Sequence, residues 1–120
     1  MTAVFQPPDP GALRRRVTFE QRTPGRDSAG GPLDTWQPVF TSYAKVEPLS
    51  GRELLAAQVV HAEITLEVWV RYRPEFSDPK TATALRIRYG ARLLNILSVI
   101  DVDDLRQWVV CQCSEGIVEA

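Results

Sequence analysis

Histidine is almost missing from this chain: His61 is the only one among 120 residues. Hydrolysis by a serine or cysteine nucleophile needs a base beside that nucleophile. A lone histidine near the end of a predicted helix is instead expected to meet the carbonyl end of that helix. No catalytic residue is assigned. Cysteine is equally scarce, with only Cys111 and Cys113. Two residues apart in an apparent strand, they point to one face, and they fall short of the four ligands of a structural zinc site. They read as reduced structural thiols, and neither a metal nor a cofactor is expected. A surplus of positive charge is also lacking: fourteen basic side chains face fifteen acidic ones, for a net charge of -1. The broad positive field that drives phosphate binding by counterion release is therefore absent. The stretch GRDSAGG lacks the lysine-hydroxyl pair and the strand-to-helix setting of a phosphate loop. No apolar run approaches the roughly 20 residues that span a bilayer, and MTAVFQPPDP shows no basic or apolar leader pattern. The expectation is a protein with no membrane partner, kept in the cytosol or built into a particle assembled there.

Proline and glycine, by contrast, are plentiful, with nine and seven copies. They divide the chain into short segments that suit strands better than long helices. One domain is expected, since single cores commonly occupy about 100 to 150 residues. Residues 1–12 read as a flexible arm, 13–115 as the domain and 116–120 as a tail. From Leu13 the pattern has period two, with Leu13, Arg15, Val17 and Phe19 opposing Arg14, Arg16, Thr18 and Glu20. TPGRDSAGGPLD, Thr23 to Asp34, reads as a long flexible loop. The next strand is clearest from Phe40 to Val46, with Phe40, Ser42, Ala44 and Val46 on one face.

The only persuasive helix begins in LSGRELLAAQVVHAE. Ser50 and Glu53 have capping-box spacing, Leu49 and Leu54 that of a hydrophobic staple. Leu54, Leu55, Gln58, Val59 and Ala62 form its expected buried stripe. ITLEVWVRYR then puts Ile64, Leu66, Val68, Val70 and Tyr72 on the core side. PEFSDPKTATA, Pro74 to Ala84, reads as a second long loop. Leu85, Ile87 and Tyr89 point inward with Arg86 and Arg88 outward, and Gly90 marks a tight turn. RLLNILSVIDVDD is apolar on both faces, with Leu94, Ile96, Ser98 and Ile100 assigned inward, and Asp101, Asp103 and Asp104 form a solvated turn. The last strand, LRQWVVCQCSE, sets Leu105, Gln107, Val109, Cys111 and Cys113 against Arg106, Trp108, Val110 and Gln112. The expected fold is mainly β: a small antiparallel barrel of about six strands, with one short helix after the second strand. Short links favour hairpins over parallel crossovers, and closure removes exposed edges.

Charged side chains recur on outward faces and in the two loops. They give the candidate interface Arg14, Arg16, Arg22, Arg26, Asp27, Lys45, Glu47, Arg52, Glu53, Arg71, Arg73, Asp78 and Lys80, suited to charge-guided docking between proteins. The bland alternative is that arginines merely solvate strands and lie over aromatics such as Trp69 and Trp108. A rival function is a small-barrel nucleic-acid module, with Arg14, Arg16, Arg71 and Arg73 on phosphates and Trp69 or Tyr72 stacking on bases.

From about Gly11 to Glu115 the chain resembles the phage head-tail joining family, also called head closure, stopper or head completion proteins. The resemblance rests on the order and spacing of GALRRRVTFEQR, YAKVEPLSGRELLAA, AEITLEVWVRYR and LRIRYGARLLNILSVIDVDDLRQWVVCQC. One segment departs from the family pattern: Leu93, Leu94 and Asn95 stand where an aromatic usually precedes the isoleucine. The resemblance implies a structural part of a virion or phage-like particle, with no catalysis and no cofactor. It implies a ring, often dodecameric, between the portal (connector) protein and the tail or tail-terminator protein. Such a ring extends or closes the channel through which packaged DNA passes and offers the tail its attachment surface. The isolated chain is expected to be mostly monomeric.

Overall fold

Alternating apolar and polar side chains form a wall with one dry face, and here that wall closes on itself. The computed structural model describes residues 10–26, 28–60 and 62–115. Its strands are β1 (Arg15–Arg26), β2 (Pro32–Pro48), β3 (Leu66–Arg71), β4 (Arg86–Tyr89), β5 (Arg92–Asp101) and β6 (Trp108–Glu115). They join in the order β1-β2-β3-β6-β5-β4 as a closed barrel with every pair antiparallel. Helix α1 (Gly51–Val60) links β2 to β3, and a helical turn, α2 (Pro79–Thr83), precedes β4. The expected single-helix barrel is thus the observed fold, with α2 added.

The lumen is filled by side chains from all six strands, among them Val17, Phe19, Phe40, Ala44, Val68, Val70, Ile87, Leu94, Val109 and Cys111. Two bulges set which residues point inward. Phe19 pairs with Phe40 but Glu20 with Pro38, leaving Val39 as the extra residue of β2. Ile96 pairs with Cys113 but Ser98 with Gln112, so Leu97 is extra in β5. This second bulge corrects the facing assigned from sequence, because an added residue reverses the alternation beyond it. Val99 turns toward the lumen, while Ile100 joins an outer cluster of Trp69, Val102, Trp108 and Val110. Leu13, expected inside, also lies on that outer cluster, and Arg15 is exposed. A 3-10 turn at Pro10–Ala12 ends just before it, so the chain enters β1 from across the outer surface.

At the end where β2 finishes and β3 begins, Leu49, Ala57 and Ile64 form a small cluster with Leu54 and Leu97 packed on it. Ile64 therefore serves the helix contact rather than the lumen. The Leu49–Leu54 staple is present, and the Gln58 amide donates to the Ile64 carbonyl at 3.2 Å, which fixes the roll of the helix. That roll buries Ala57 and leaves Leu55 and Val59 exposed, contrary to the stripe expected from hydrophobicity. Ala62 is exposed too, and His61 lies outside the described residues.

Both expected loops are structured. Thr23 to Asp34 is largely a β-ribbon: β1 and β2 stay paired beyond the barrel from Gln21↔Gln37 to Arg26↔Pro32. At about 3.3 Å per residue, those six pairs project roughly 20 Å. A backbone ladder needs no side-chain alternation, and Pro24 and Pro32 are tolerated because each strand of a two-stranded ribbon is an edge. Pro74 to Ala84 folds back as a 3-10 turn at Pro74–Phe76 followed by α2, and it places Phe76 and Ala82 in the core. Asp78 caps α2, accepting from the Lys80 amide at 3.1 Å and the Thr81 hydroxyl at 3.0 Å.

Candidate functional site

Several charged side chains of the outer surface are engaged within the chain. Glu20, on the outer face of β1, is enclosed by its β4 neighbours. Arg86 Nε donates to Glu20 Oε1 at 2.8 Å and Arg88 Nε to Glu20 Oε2 at 3.0 Å. The Arg86 guanidinium also lies 4.2 Å from the ring centroid of Trp36, at the root of the ribbon. Arg86, read from sequence as an outward arginine, is on the outer face but only 7% exposed. It braces the wall and offers nothing to a partner. Burial raises the Glu20 carboxyl, but the bonds and charges of the two arginines outweigh it and hold the group below the usual carboxylate value.

Several other charged residues are similarly occupied. Arg73 makes a two-point pair with Glu75, at 3.1 and 3.3 Å, and lies 4.3 Å from the Phe40 ring centroid, covering one barrel end. Arg71 lies 4.7 Å from the Trp108 ring, as the bland reading of the arginines expects. Arg14 donates to the Gly11 carbonyl at 3.1 Å, Asp78 is consumed as a helix cap, and Lys45 stands 3.7 Å from Glu47. Arg16, Arg22, Arg52, Glu53 and Lys80 are exposed. The side chain of Arg26 and all of Asp27 lie outside the described residues. Arg16 pairs across the ladder with Tyr43, which borders a shallow depression of about 420 Å³ shared with Leu13, Ser42, Arg71 and Trp108. The eleven candidates with described side chains lie on or just before β1, and along β2, α1, β3 and the segment that follows β3, with none on β4, β5 or β6.

At the end of the β2–β3 ladder two carboxylates face each other. Glu67 stands directly opposite Glu47 in the ladder and is buried. Desolvation, and after it the Glu47 charge, push its carboxyl above the ordinary value. The folded state therefore penalises the carboxylate. The contribution of this group to stability is fully present below the ordinary value, near 4.5, and is lost as pH rises through the raised folded value. Glu67→Gln is expected to raise the thermal midpoint at pH 7, with the gain vanishing near pH 4. A lower midpoint at pH 7 contradicts this.

The cysteines point into the lumen as the spacing indicated, and Cys113 donates to the Cys111 carbonyl at 3.4 Å. Burial pushes the Cys111 thiol up to about 12 and raises Cys113 as well. Since the thiolate is the reactive form, an aromatic disulfide reagent should leave both thiols unlabelled in native buffer and label both in denaturant. Rapid native labelling contradicts the buried placement. Among the described residues, no group of three or more His, Cys, Asp or Glu side chains is placed to hold a metal ion, and no helix is long and apolar enough to cross a membrane. Of the two aromatics that base stacking would use, Trp69 is only 4% exposed, and Tyr72 is half-buried against the core.

The geometry is that of a structural barrel with mixed charge on its flanks, and comparisons with known proteins point the same way. The barrel is shared with a solution structure of a protein from Shigella flexneri 2a, with a TM-score of 0.68 and 28% identity over 92% of this chain and 99% of that one. It also superposes on a chain in the virion of a native gene transfer agent particle, with a TM-score of 0.53 and 23% identity over 88% of this chain and 96% of that one, a likeness of fold. In sequence the chain is 31% identical to head completion protein gp7 of Enterobacteria phage HK97, across 87% of this chain and 95% of that protein. The family model for the phage head completion protein matches residues 8–116, which include all six strands and both helices, and by that match the chain belongs to the phage head completion protein family.

Proposed function

We propose that this chain is a head-tail connector component. Copies form a ring, dodecameric in the assembled particle, between the portal protein and the tail or tail-terminator protein. The ring extends or closes the DNA channel and presents the surface to which the tail attaches. The observation that carries this reading is the family match spanning the whole barrel. Three physical features support it. The net charge of -1 offers packaged DNA few phosphate contacts, so a channel wall of this composition hinders passage little. The ribbon beyond Glu20 reaches roughly 20 Å from the barrel wall and is long enough to engage a neighbouring layer. Charged residues spread around the barrel suit a subunit that meets different partners on different sides.

A portal ring that already exists raises the effective concentration of neighbouring copies, so weak lateral contacts close a ring there without closing one in solution. The free chain is accordingly mostly monomer. The particle location is the neck, assembled in the host cytoplasm. Deleting the gene in the strain that produces the particle tests this directly. DNA-filled heads and free tails should accumulate separately, and purified protein added to the extract should join them. Normal yields of tailed particles from the deletion strain contradict the proposal.

A further inference from the structure

Three of the large apolar side chains that the described surface exposes fall in two places at opposite ends of the barrel. Leu55 and Val59 are 68% and 85% exposed on α1, and Leu105 is 59% exposed in the turn between β5 and β6. On the helix, Arg52, Leu55 and Val59 follow i, i+3, i+7 spacing and form one stripe away from the barrel. A positive charge thus stands at the head of two apolar side chains. In the turn, Asp103 and Asp104 are exposed immediately before Leu105. A negative pair thus stands at the head of one apolar side chain.

The turn is held in place rather than loose. Asp103, Asp104 and Arg106 take left-handed backbone angles, φ 57°, 55° and 55°. The Arg106 amide donates to Asp101 Oδ1 at 2.9 Å, and Val102 is buried against Trp69 and Trp108. Leu105 is therefore presented outward on an anchored base.

The two surfaces cannot meet within one chain. Helix α1 leads into β3 at Leu66, opposite Cys113, whereas the turn leads into β6 at Trp108, opposite Arg71. From Leu66 to Arg71 is roughly 17 Å along the strand. We infer that the α1 stripe of one copy docks on the Asp103–Leu105 turn of a second copy, with Arg52 against Asp103 and Asp104 and with Leu55 and Val59 against Leu105. Because the two surfaces differ, the contact is heterologous and a joined pair still keeps one free surface of each kind, the arrangement that builds rings. This deepens the connector reading by naming the surfaces through which copies meet.

Disulfide trapping of the free protein tests the contact separately from attachment to capsids. One preparation carries Val59→Cys and another Leu105→Cys; all the altered positions are exposed, and the native thiols are buried. Mixed under a glutathione redox buffer, they should form the mixed dimer at least tenfold faster than either forms a dimer with itself. Adding Asp104→Arg to the Leu105→Cys chain should slow trapping about tenfold, and adding Arg52→Asp to its partner should restore it. Faster trapping of Val59→Cys with itself, equal rates for all pairs, no trapped dimer at millimolar protein, or indifference to the charge reversals overturns the inference. Any of these leaves binding of the chain to a portal still open to its own test.

Discussion

Phe76→Ala is expected to destabilise the protein by about 4 kcal/mol, within the range for a buried phenylalanine removed from a core. Phe76 comes from a stretch with no strand or helix periodicity, yet its ring meets Phe19 and Phe40 edge-on, at centroid distances of 5.5 and 5.6 Å. Phe19 and Phe40 themselves stack at 4.6 Å, so the three rings form one unit inside the barrel. Removing one ring forfeits its own burial and exposes the faces of the other two. Deleting Pro74 to Ala84 should be worse still, since Ala82 leaves with it. Deleting the outer ribbon from Thr23 to Asp34 and rejoining β1 to β2 should change stability little, because none of the ribbon's described side chains belongs to the lumen. Urea unfolding of the three variants checks the contrast. Equal stability of the two deletions contradicts it, as does a Phe76→Ala loss below about 1 kcal/mol, the level of an ordinary surface change.

Glu20→Ala is expected to cost about 3 kcal/mol at pH 7, the scale for breaking a buried ion pair from one side. The loss arises from Arg86, which stays buried over Trp36 without its anion. Arg88→Ala should cost less than about 1 kcal/mol, because that side chain is 45% exposed and water replaces the carboxylate. The pH dependence has a definite sign. The Glu20 carboxyl in the folded state lies below its ordinary value of 4.5, so its contribution is present above that value and is lost as pH falls through the lower folded value. Native protein should therefore lose stability on acidification below about 4.5 more steeply than Glu20→Gln, which cannot titrate there. Parallel acid curves for the two proteins contradict the assigned role.

Those two sites show what was legible in the sequence and what was not. Strands β3 and β6 were readable because Leu66, Val68 and Val70, and Val109, Cys111 and Cys113, alternate cleanly with their neighbours. Half of β5 was not. Leu93 to Ile100 is apolar on both faces, so no contrast marks Leu97 as the bulged residue that redirects Val99 and Ile100. The ribbon was missed because its ladder consists of backbone bonds through proline and glycine positions that signal a loop. On α1, hydrophobicity pointed to Leu55 and Val59 as buried, whereas the Gln58 bond to Ile64 and the packing of Ala57 set the opposite roll.

The candidate surface was only partly legible for a similar reason. Sequence can place arginines on an outer face, but it cannot show that Arg86 is spent on Glu20, 66 residues away, or that Arg73 folds over Phe40. Those engagements depend on the ladder register between distant strands. The exposed stripe of Arg52, Leu55 and Val59 emerged only once the helix roll was known. The family, in contrast, was readable from the order of several short motifs, because that order follows the succession of elements along the chain.

The central claim is that this barrel joins a portal-bearing head as a ring. It is tested most directly by titrating purified protein onto DNA-filled capsids that carry the cognate portal and lack tails, and measuring bound mass per capsid. The account predicts saturation at one dodecameric ring on each portal, with the unbound protein mostly monomeric by light scattering. Absence of binding at any reachable concentration, or unsaturable binding over the capsid surface, contradicts it.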